Sequence, residues 1–359
     1  MKILVIQQKM IGDVLTSSIL FEALRKKYPQ AELHYMIYPH TQPVIKNNPF
    51  IDQLVLYDPG KQGGFSGFFS FLKKIKKQKY DVVIDVYSKI GSGIFSFGSG
   101  AKIRIAYRKW YTKFLYTDTF NYKSKAETNA GLAIENRMQL LQGISFDFPS
   151  EIRPKIFLDK AEISEAEEKI SKTGIDRDKP LVMLGILGSS ESKTYPLPFM
   201  AKILDDIAAK TEAQLLFNYI PKQKEQVLEL FEMCQPQTQK RIFLDLFGSS
   251  LREFIALTSS CDALIGNEGG AVNMAKAVNT PTFSIFSPQI KKEDWSIYED
   301  GEQNVSVHLE DFQPEKFCAL SKKERRKAAA NFYQTFTPEL IIPTLDEFLQ
   351  KNVNHFNRN

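Results

Sequence analysis

The sequence predicts an α/β chain folded as two successive domains, each a parallel sheet covered by helices. Three observations predict it. The 359 residues are more than one core usually supports and suit two domains of roughly 150 to 180 residues. Short apolar runs alternate with stretches of helical periodicity along most of the chain, the pattern that builds parallel sheets through crossover connections. A charged, turn-rich stretch after Pro149 and Pro154 interrupts this alternation, which then starts again.

The first series opens with Lys2–Ile6 as a strand, then a polar loop, then a helix over Val14–Tyr28 with Leu15, Ile19, Leu20, Ala23 and Leu24 at helical spacing. Strands follow at Glu32–Ile37 and Gln53–Tyr57, a helix at Gly67–Lys77, and strands at Asp81–Val86 and Ile103–Tyr107. The helical stretch Ile163–Lys172 and the turn-rich Thr173–Pro180 read as a linker. The second series has strands at Leu181–Leu187, Gln214–Ile220, Arg241–Leu246, Ala263–Gly266 and Thr282–Phe286. Helices fall at Phe199–Lys210, Lys222–Cys234, Leu251–Ser259 and Ala271–Val278, and Lys322–Tyr333 and Pro338–Lys351 read as two more. The expected division is 1–160, then 175–335, with 336–359 a helical tail able to pack back on the first domain.

Composition narrows the function. No run of about 18 uncharged apolar residues is present, so no spanning helix is expected. The first apolar stretch, Ile3–Ile6, is shorter than a signal peptide requires, and a cytoplasmic location is expected. Cys234, Cys261 and Cys318 form no paired spacing, and His34, His40, His308 and His355 have no metal-ligand spacing. Charge is divided unevenly: residues 1–150 hold 21 Lys and Arg against 11 Asp and Glu, while the remainder holds 26 against 31. The first half should therefore face an anionic partner, with nucleic acid, a phosphorylated lipid and an anionic membrane face as the candidates.

In open parallel sheets ligands bind at the carboxyl ends of strands, so the loops there carry the candidate chemistry. After the first strand come Gly12, which permits a tight turn, and Asp13. Asp13 reads either as a helix N-cap or as a general base taking a proton from a hydroxyl. Gly266-Asn267-Glu268-Gly269-Gly270-Ala271 joins a strand to a helix; it is a plain turn or a diphosphate cradle in which Glu268 meets hydroxyls. Ser189, Ser190 and Lys193 follow the Leu181 strand and suit a phosphate clamp, although a lone lysine is more often solvated surface. Lys73, Lys74, Lys76, Lys77 and Lys79 follow a Phe-rich segment, and Arg104, Arg108, Lys109 and Lys113 surround Trp110, Tyr111 and Phe114. These clusters are either solvated faces or contacts to acceptor phosphates or anionic lipid.

Three segments, KILVIQQKMIGDVLTSSILFEALRKKYP, the SSESK loop and DALIGNEGGAVNMAKAVNTPTFSIFSP, together resemble glycosyltransferase family 9, the heptosyltransferases of lipopolysaccharide core synthesis. The resemblance implies a GT-B fold, two Rossmann-like domains facing a central cleft, and metal-independent inverting transfer from a nucleotide sugar such as ADP-heptose to a lipopolysaccharide core or lipid-linked glycan. It implies no cofactor, no nucleic-acid partner, and peripheral contact with the inner membrane at most. By the same resemblance Asp13 is the catalytic base. Ser189, Ser190, Lys193, Glu268, Gly269, Gly270, Ala271 and Asn273 meet the donor, with Gln223 added near the ribose. Gly12, Lys73, Lys74, Arg104 and Arg108 are the expected acceptor contacts. The chain departs from the family where Asp-Thr-Gly and a following His are common, having Glu268-Gly269-Gly270 and Asn273. It also carries Tyr219 and Gln223 where a glycine and an acidic residue are usual. That altered loop motivates an alternative, a noncatalytic nucleotide-sugar or glycolipid binding protein.

Other signals are absent. There is no GxxxxGK[ST] loop, and the glycines from Gly91 to Gly100 do not match GxGxxG. Asp176-Arg177-Asp178 precedes a strand and reads as a turn.

Overall fold

The computed structural model describes residues 1–188, 190–318 and 320–353. The chain divides after Phe157 into two compact units.

In the first unit six strands, β1 (Lys2–Ile6), β2 (Glu32–Ile37), β3 (Gln53–Leu56), β4 (Val82–Asp85), β5 (Ile103–Tyr107) and β6 (Asp118–Phe120), form one sheet in the order β3-β2-β1-β4-β5-β6. Every pairing is parallel. The central strand β1 is buried from Ile3 to Ile6, which is why it reads as a continuous apolar run and does not alternate. The chain moves outward from β1 to β3 and then returns to β4. Right-handed crossovers therefore place α1 (Ile11–Ser17) and α2 (Ile19–Lys27) on one face, and α3 (Gly64–Lys77) and α4 (Ile90–Gly98) on the other. The hydroxyl of buried Tyr35 donates to the Val14 carbonyl at 2.8 Å and ties α1 to β2. A short buried helix, α5 (Leu132–Gln139), closes the α1 face.

The second unit repeats this plan. Strands β7 (Leu181–Gly185), β8 (Gln214–Phe217), β9 (Ile242–Phe243), β10 (Ala263–Asn267), β11 (Thr282–Ile285) and β12 (Asn304–Val307) are parallel in the order β9-β8-β7-β10-β11-β12. The stretch expected as a linker is α6 (Lys160–Lys172), an element of this unit. Its buried Ala166 and Ile170 form the inner stripe, and it lies along α9 (Leu251–Ser259) through the Glu162–Arg252 and Lys169–Glu253 ion pairs. Between these come α7 (Leu197–Lys210) and α8 (Lys224–Met233), and after β10 comes α10 (Gly270–Ala277). The chain ends in α11 (Lys322–Thr335) and α12 (Pro338–Asn352). The tail expected to reach back to the first domain is built into the second. Ile341, Leu345, Phe348 and Leu349 recur at helical spacing, and this stripe is consumed by the second core, with the Phe348 ring 5.6 Å from that of Phe283.

The strands β7 and β10 meet glycine to glycine, Gly266 opposite Gly185. Gly266 has φ of +151°, and a Cβ there would sit 2.3 Å from the Gly185 carbonyl oxygen. Backbone cannot yield as a flexible side chain can. Gly266→Ala is expected to lower stability by about 2 to 4 kcal/mol, read as a lower urea midpoint; an unchanged midpoint would show that the two strands part at little cost.

Candidate active site

In each sheet the strand order reverses between two central neighbours, and loops leaving those strands diverge to opposite faces. The reversal falls at β1 and β4 in the first unit and at β7 and β10 in the second. Asp13, Asp85, Lys193 and Glu268 each end or follow one of these four strands.

Asp13 is the third residue of α1. The cap position belongs to Met10, whose side chain makes no capping bond, so the N-cap reading of Asp13 gives way to a tertiary one. Its Oδ1 accepts from Arg137 Nη2 at 2.7 Å. Arg137 is buried on α5, donates from Nε to Ser17 Oγ at 2.9 Å, and from Nη1 to the Ala133 carbonyl at 2.7 Å. One guanidinium thus joins two successive turns of α1 and fixes the carboxylate's orientation, leaving Oδ2 for a ligand. Tyrosines surround it. Burial pushes the Tyr122 hydroxyl up to about 12, with Arg137 opposing and Asp13 adding to the rise, and Tyr122 stacks on buried Tyr107 with ring centres 4.1 Å apart. Tyr87 is also raised, by burial first and then by Asp13. These phenols stay neutral beside the carboxylate.

The neighbouring strand ends in Asp85, fully buried opposite Ile6. Oδ1 accepts from the Ser88 amide at 2.8 Å and Oδ2 from the Tyr116 hydroxyl at 2.7 Å, pinning a turn in which Ser88 has φ of +49°. Burial pushes Asp85 up to about 6, against its hydrogen bonds. Lys109 donates to the Ser88 carbonyl at 2.7 Å from the other side of this turn.

In the second unit Asn267 joins the two carboxyl ends. Its Nδ2 donates to the Gly185 and Ile186 carbonyls at 3.0 and 2.9 Å, and its Oδ1 accepts from the Tyr195 amide at 2.7 Å. Beyond it Gly269, with φ of +149° and ψ of −160°, holds a conformation essentially reserved for glycine and turns the chain into α10. Glu268 lies in this turn with its side chain 11% exposed and Oε1 buried without a hydrogen-bond partner. Lys193 Nζ stands 3.8 Å from that oxygen, and burial raises the Glu268 carboxyl while the lysine opposes the rise. The loop that carries Lys193 is fixed by Thr194 Oγ1, which accepts from the Gly188 amide at 3.0 Å. Ser287 and Gln289 also hold it, both donating to the Ser192 carbonyl.

The structure therefore brings together Lys193, Glu268, Gly269 and the first turn of α10, which contains Gly270, Ala271 and Asn273. Ser190 stands in the same loop, its Oγ 3.2 Å from Ser192 Oγ; Ser189 lies outside the described residues. Gln223 follows β8 but closes its own turn, accepting from the Ile220 amide at 3.1 Å, and the Tyr219 hydroxyl is bound to the Leu244 carbonyl. In the first unit Gly12 precedes Asp13, and its carbonyl accepts from Thr16 Oγ1. Arg108 follows the carboxyl end of β5, with Nε donating to Thr119 Oγ1. Arg104 is engaged near the start of β5 with the Ala101 and Leu115 carbonyls. Lys73 and Lys74 are exposed in the second half of α3, which runs back toward the amino ends of the strands. Arg137 and Asp85 went unmarked in the sequence, and Asn267 was named only within the Gly266–Ala271 turn, without a role of its own. Their one signal is polar identity within segments that become wholly buried, such as Glu135-Asn136-Arg137 in α5. Among the described residues no group of three or more His, Cys, Asp or Glu is arranged to hold a metal ion, and no helix is long and apolar enough to cross a membrane.

Asp85 gives a pH signature. Its folded value near 6 lies above the ordinary 3.8, so its contribution is complete below about 3.8 and is lost as pH rises through about 6. Asp85→Asn can keep both hydrogen bonds with one reversed. The variant should gain on the natural protein by roughly 3 kcal/mol between pH 4 and pH 7, followed by urea unfolding at each pH; parallel curves would place the ionisation elsewhere.

The chain matches the family model "Glycosyltransferase family 9 (heptosyltransferase)" over residues 68–323. It is similar to lipopolysaccharide heptosyltransferase 1 of Campylobacter coli, 25% identical over 80% of this chain and 84% of that protein. A glycosyl transferase of family 9 from Veillonella parvula shares the fold with a TM-score of 0.75 at 17% identity, covering 98% and 97% of the two chains. The E. coli ADP-heptose lps heptosyltransferase II does so with a TM-score of 0.66 at 16% identity, covering 94% and 99%. Two parallel six-stranded units of one plan and a family match across most of the chain give the GT-B fold and the membership together: this chain belongs to glycosyltransferase family 9, the heptosyltransferases, and is an enzyme of the glycosyl-transferring type.

Proposed function

We propose that the enzyme transfers a heptose from ADP-heptose to a hydroxyl of a lipopolysaccharide core or related lipid-linked acceptor, with inversion and without a metal. The observation that carries this is the Glu268–Lys193 pair at the amino end of α10. A buried carboxylate oxygen with no hydrogen-bond partner costs stability unless a ligand supplies a donor, and a sugar or ribose hydroxyl is such a donor. Beside it, a lysine and the unpaired amides of a helix start suit a diphosphate. Polyhydroxylated and doubly anionic in adjoining parts, a nucleotide sugar matches both. The names of the relatives, lipopolysaccharide heptosyltransferase and ADP-heptose lps heptosyltransferase, support heptose and ADP.

In the first unit Asp13 Oδ2 takes the proton of the acceptor hydroxyl as that oxygen bonds to the anomeric carbon. As that bond forms on one face of the carbon, the bond to the diphosphate breaks on the other, and its electron pair leaves with ADP. Lys193 and the α10 amides meet the charge that develops there. Arg137 is a positioning residue: it touches no substrate and holds the base at one angle through α1. For the acceptor the reading keeps Gly12 and Arg108, which stand on the edge of the sheet that carries Asp13.

Asp13→Asn should lower kcat by about 10²- to 10⁴-fold while ADP still raises the melting temperature; near-normal turnover would remove Asp13 from its role. Arg137→Met should lower kcat less than Asp13→Asn does, with donor binding again unchanged. Lys193→Ala should instead weaken ADP binding by about tenfold or more, measured by calorimetry. Undiminished affinity would place the diphosphate elsewhere.

A further inference from the structure

We propose that the outer face formed by α3, α4 and the segment after β5 docks on an anionic lipid surface. The idea deepens the transfer reading, on which it rests for the lipid-linked nature of the acceptor. These elements share one face because the chain moves in a single direction from β3 through β4 and β5 to β6, and right-handed crossovers leave no other placement. They also touch in sequence. Leu72 of α3 packs on Gly98 of α4, Leu115 packs on Gly93, and Arg104 donates to the Leu115 carbonyl while its guanidinium lies 5.6 Å from the Phe97 ring centre.

This face leaves large apolar side chains in water. Trp110 is 85% exposed, Phe65 83% and Phe114 72%, and Ile90, Phe97 and Phe69 are exposed with them. The Phe65 and Phe69 rings lie 4.5 Å apart one helical turn from each other, outside the core. Single exposed apolar residues are ordinary; six on adjoining elements of one face are a patch.

The charge points to the occupant. Residues 59–117 hold 12 Lys and Arg against two acids, Asp81 and Asp85. Asp85 is buried, and Asp81 accepts from the Lys2 backbone amide. Outside this stretch the first 150 residues balance at nine against nine, so the whole excess of that half lies on this segment. Lys73, Lys74, Lys76 and Lys77 are exposed and make no ion pair among the described residues. Rings and cations are also separated along α3, with Phe65, Phe68 and Phe69 in its first half and the four lysines in its last turns. Such a helix can sink its aromatic end at the acyl boundary while the lysines meet headgroups. Single-stranded nucleic acid is held differently, by rings and cations interleaved along a groove.

Position agrees with purpose. The first residues of α3 and α4, together with Trp110, follow the carboxyl ends of β3, β4 and β5, and Asp13 follows that of β1. Phe65, Ile90 and Trp110 therefore share the sheet edge of the proposed base, while Phe97 and Phe114 extend the patch beside Arg104 toward the other edge, so a lipid-anchored acceptor reaches the carboxylate with its acyl chains still in the membrane.

The test is flotation of the full chain with phosphatidylglycerol-containing vesicles and with pure phosphatidylcholine vesicles, without donor or acceptor. Binding should require the anionic lipid and fade as salt rises. The exposed triple variant Phe65→Ser, Trp110→Ser, Phe114→Ser should partition about tenfold less, and the pair Lys76→Glu, Lys77→Glu should lose the preference for anionic lipid. The aromatic variant should keep its turnover on a delipidated, water-soluble acceptor. Absence of flotation, equal flotation with neutral vesicles, tighter binding to single-stranded RNA, or a dimer abolished by the aromatic variant would each overturn the proposal. Because vesicle binding needs no turnover, its failure leaves the transfer reading standing, and failure of transfer leaves the docking face standing.

Discussion

When strand order reverses in a parallel sheet, the loops leaving two neighbouring strands depart to opposite faces and open a gap that no side chain of the sheet fills. Both units have this reversal, and the chemistry proposed for both rests on it. In the second unit the gap is held to size by backbone: Gly266 lies against Gly185, and Asn267 spends its whole amide on the ends of β7 and on Tyr195. With side chains removed from the floor, the amides at the start of α10 and the Lys193 loop face the same space. In the first unit the same gap is bounded by side chains, with Asp85 securing the β4 loop and Arg137 securing the α1 turn.

The two acidic residues assigned to chemistry are supported in opposite ways. Asp13 has a close, buried guanidinium on Oδ1 that fixes its angle without a ligand. Glu268 has a lysine only at 3.8 Å and an oxygen with no hydrogen bond. An orphaned buried carboxylate oxygen costs roughly 1 to 3 kcal/mol, a cost that a folded protein keeps where function requires it. A base must be oriented before its substrate arrives, whereas a recognition group needs unsatisfied capacity that the substrate fills. The difference between Arg137 and Lys193 is consistent with those two tasks, since the planar fork fixes an angle and the flexible ammonium follows a charge.

Much of this was legible in the sequence, and the failures have physical causes. Apolar runs such as Ile3–Ile6 and Leu181–Gly185 mark buried parallel strands because both faces are covered. Four of these elements escaped, among them α5, whose polar Glu135, Asn136 and Arg137 hide a buried helix. In α4 the sequence IGSGIFSFG is poor in helix formers and is held by its packing on Leu72 and Leu115. β6 has three residues at a sheet edge, and β12 reads Asn-Val-Ser-Val, too short and polar to stand out. α6 was visible as a helix but not as part of the second unit, because its partner α9 lies some 90 residues away. Asp13, Lys193 and Glu268 could be found because each follows a strand closely in sequence. Arg137 could not: it meets Asp13 across 124 residues, and no local pattern encodes that meeting.

The uneven charge of the chain separates two kinds of anion recognition. The first 150 residues carry an excess of ten positive charges and the remainder an excess of five negative ones, yet the nucleotide diphosphate is assigned to the negative half. Its capture there cannot rely on long-range attraction, which the net charge opposes and salt screens within about 10 Å. It has to come from short-range groups whose geometry is set beforehand, namely helix amides, one lysine, and a turn that Gly269 alone permits. The first half shows the converse, a broad field from exposed lysines that fixes no geometry and suits an extended anionic surface better than a single small ligand. On the proposed reading, donor recognition combines backbone amides, which side-chain identities in the sequence do not reveal, with Lys193 and Glu268, which they do, and attraction toward the acceptor resides in side chains.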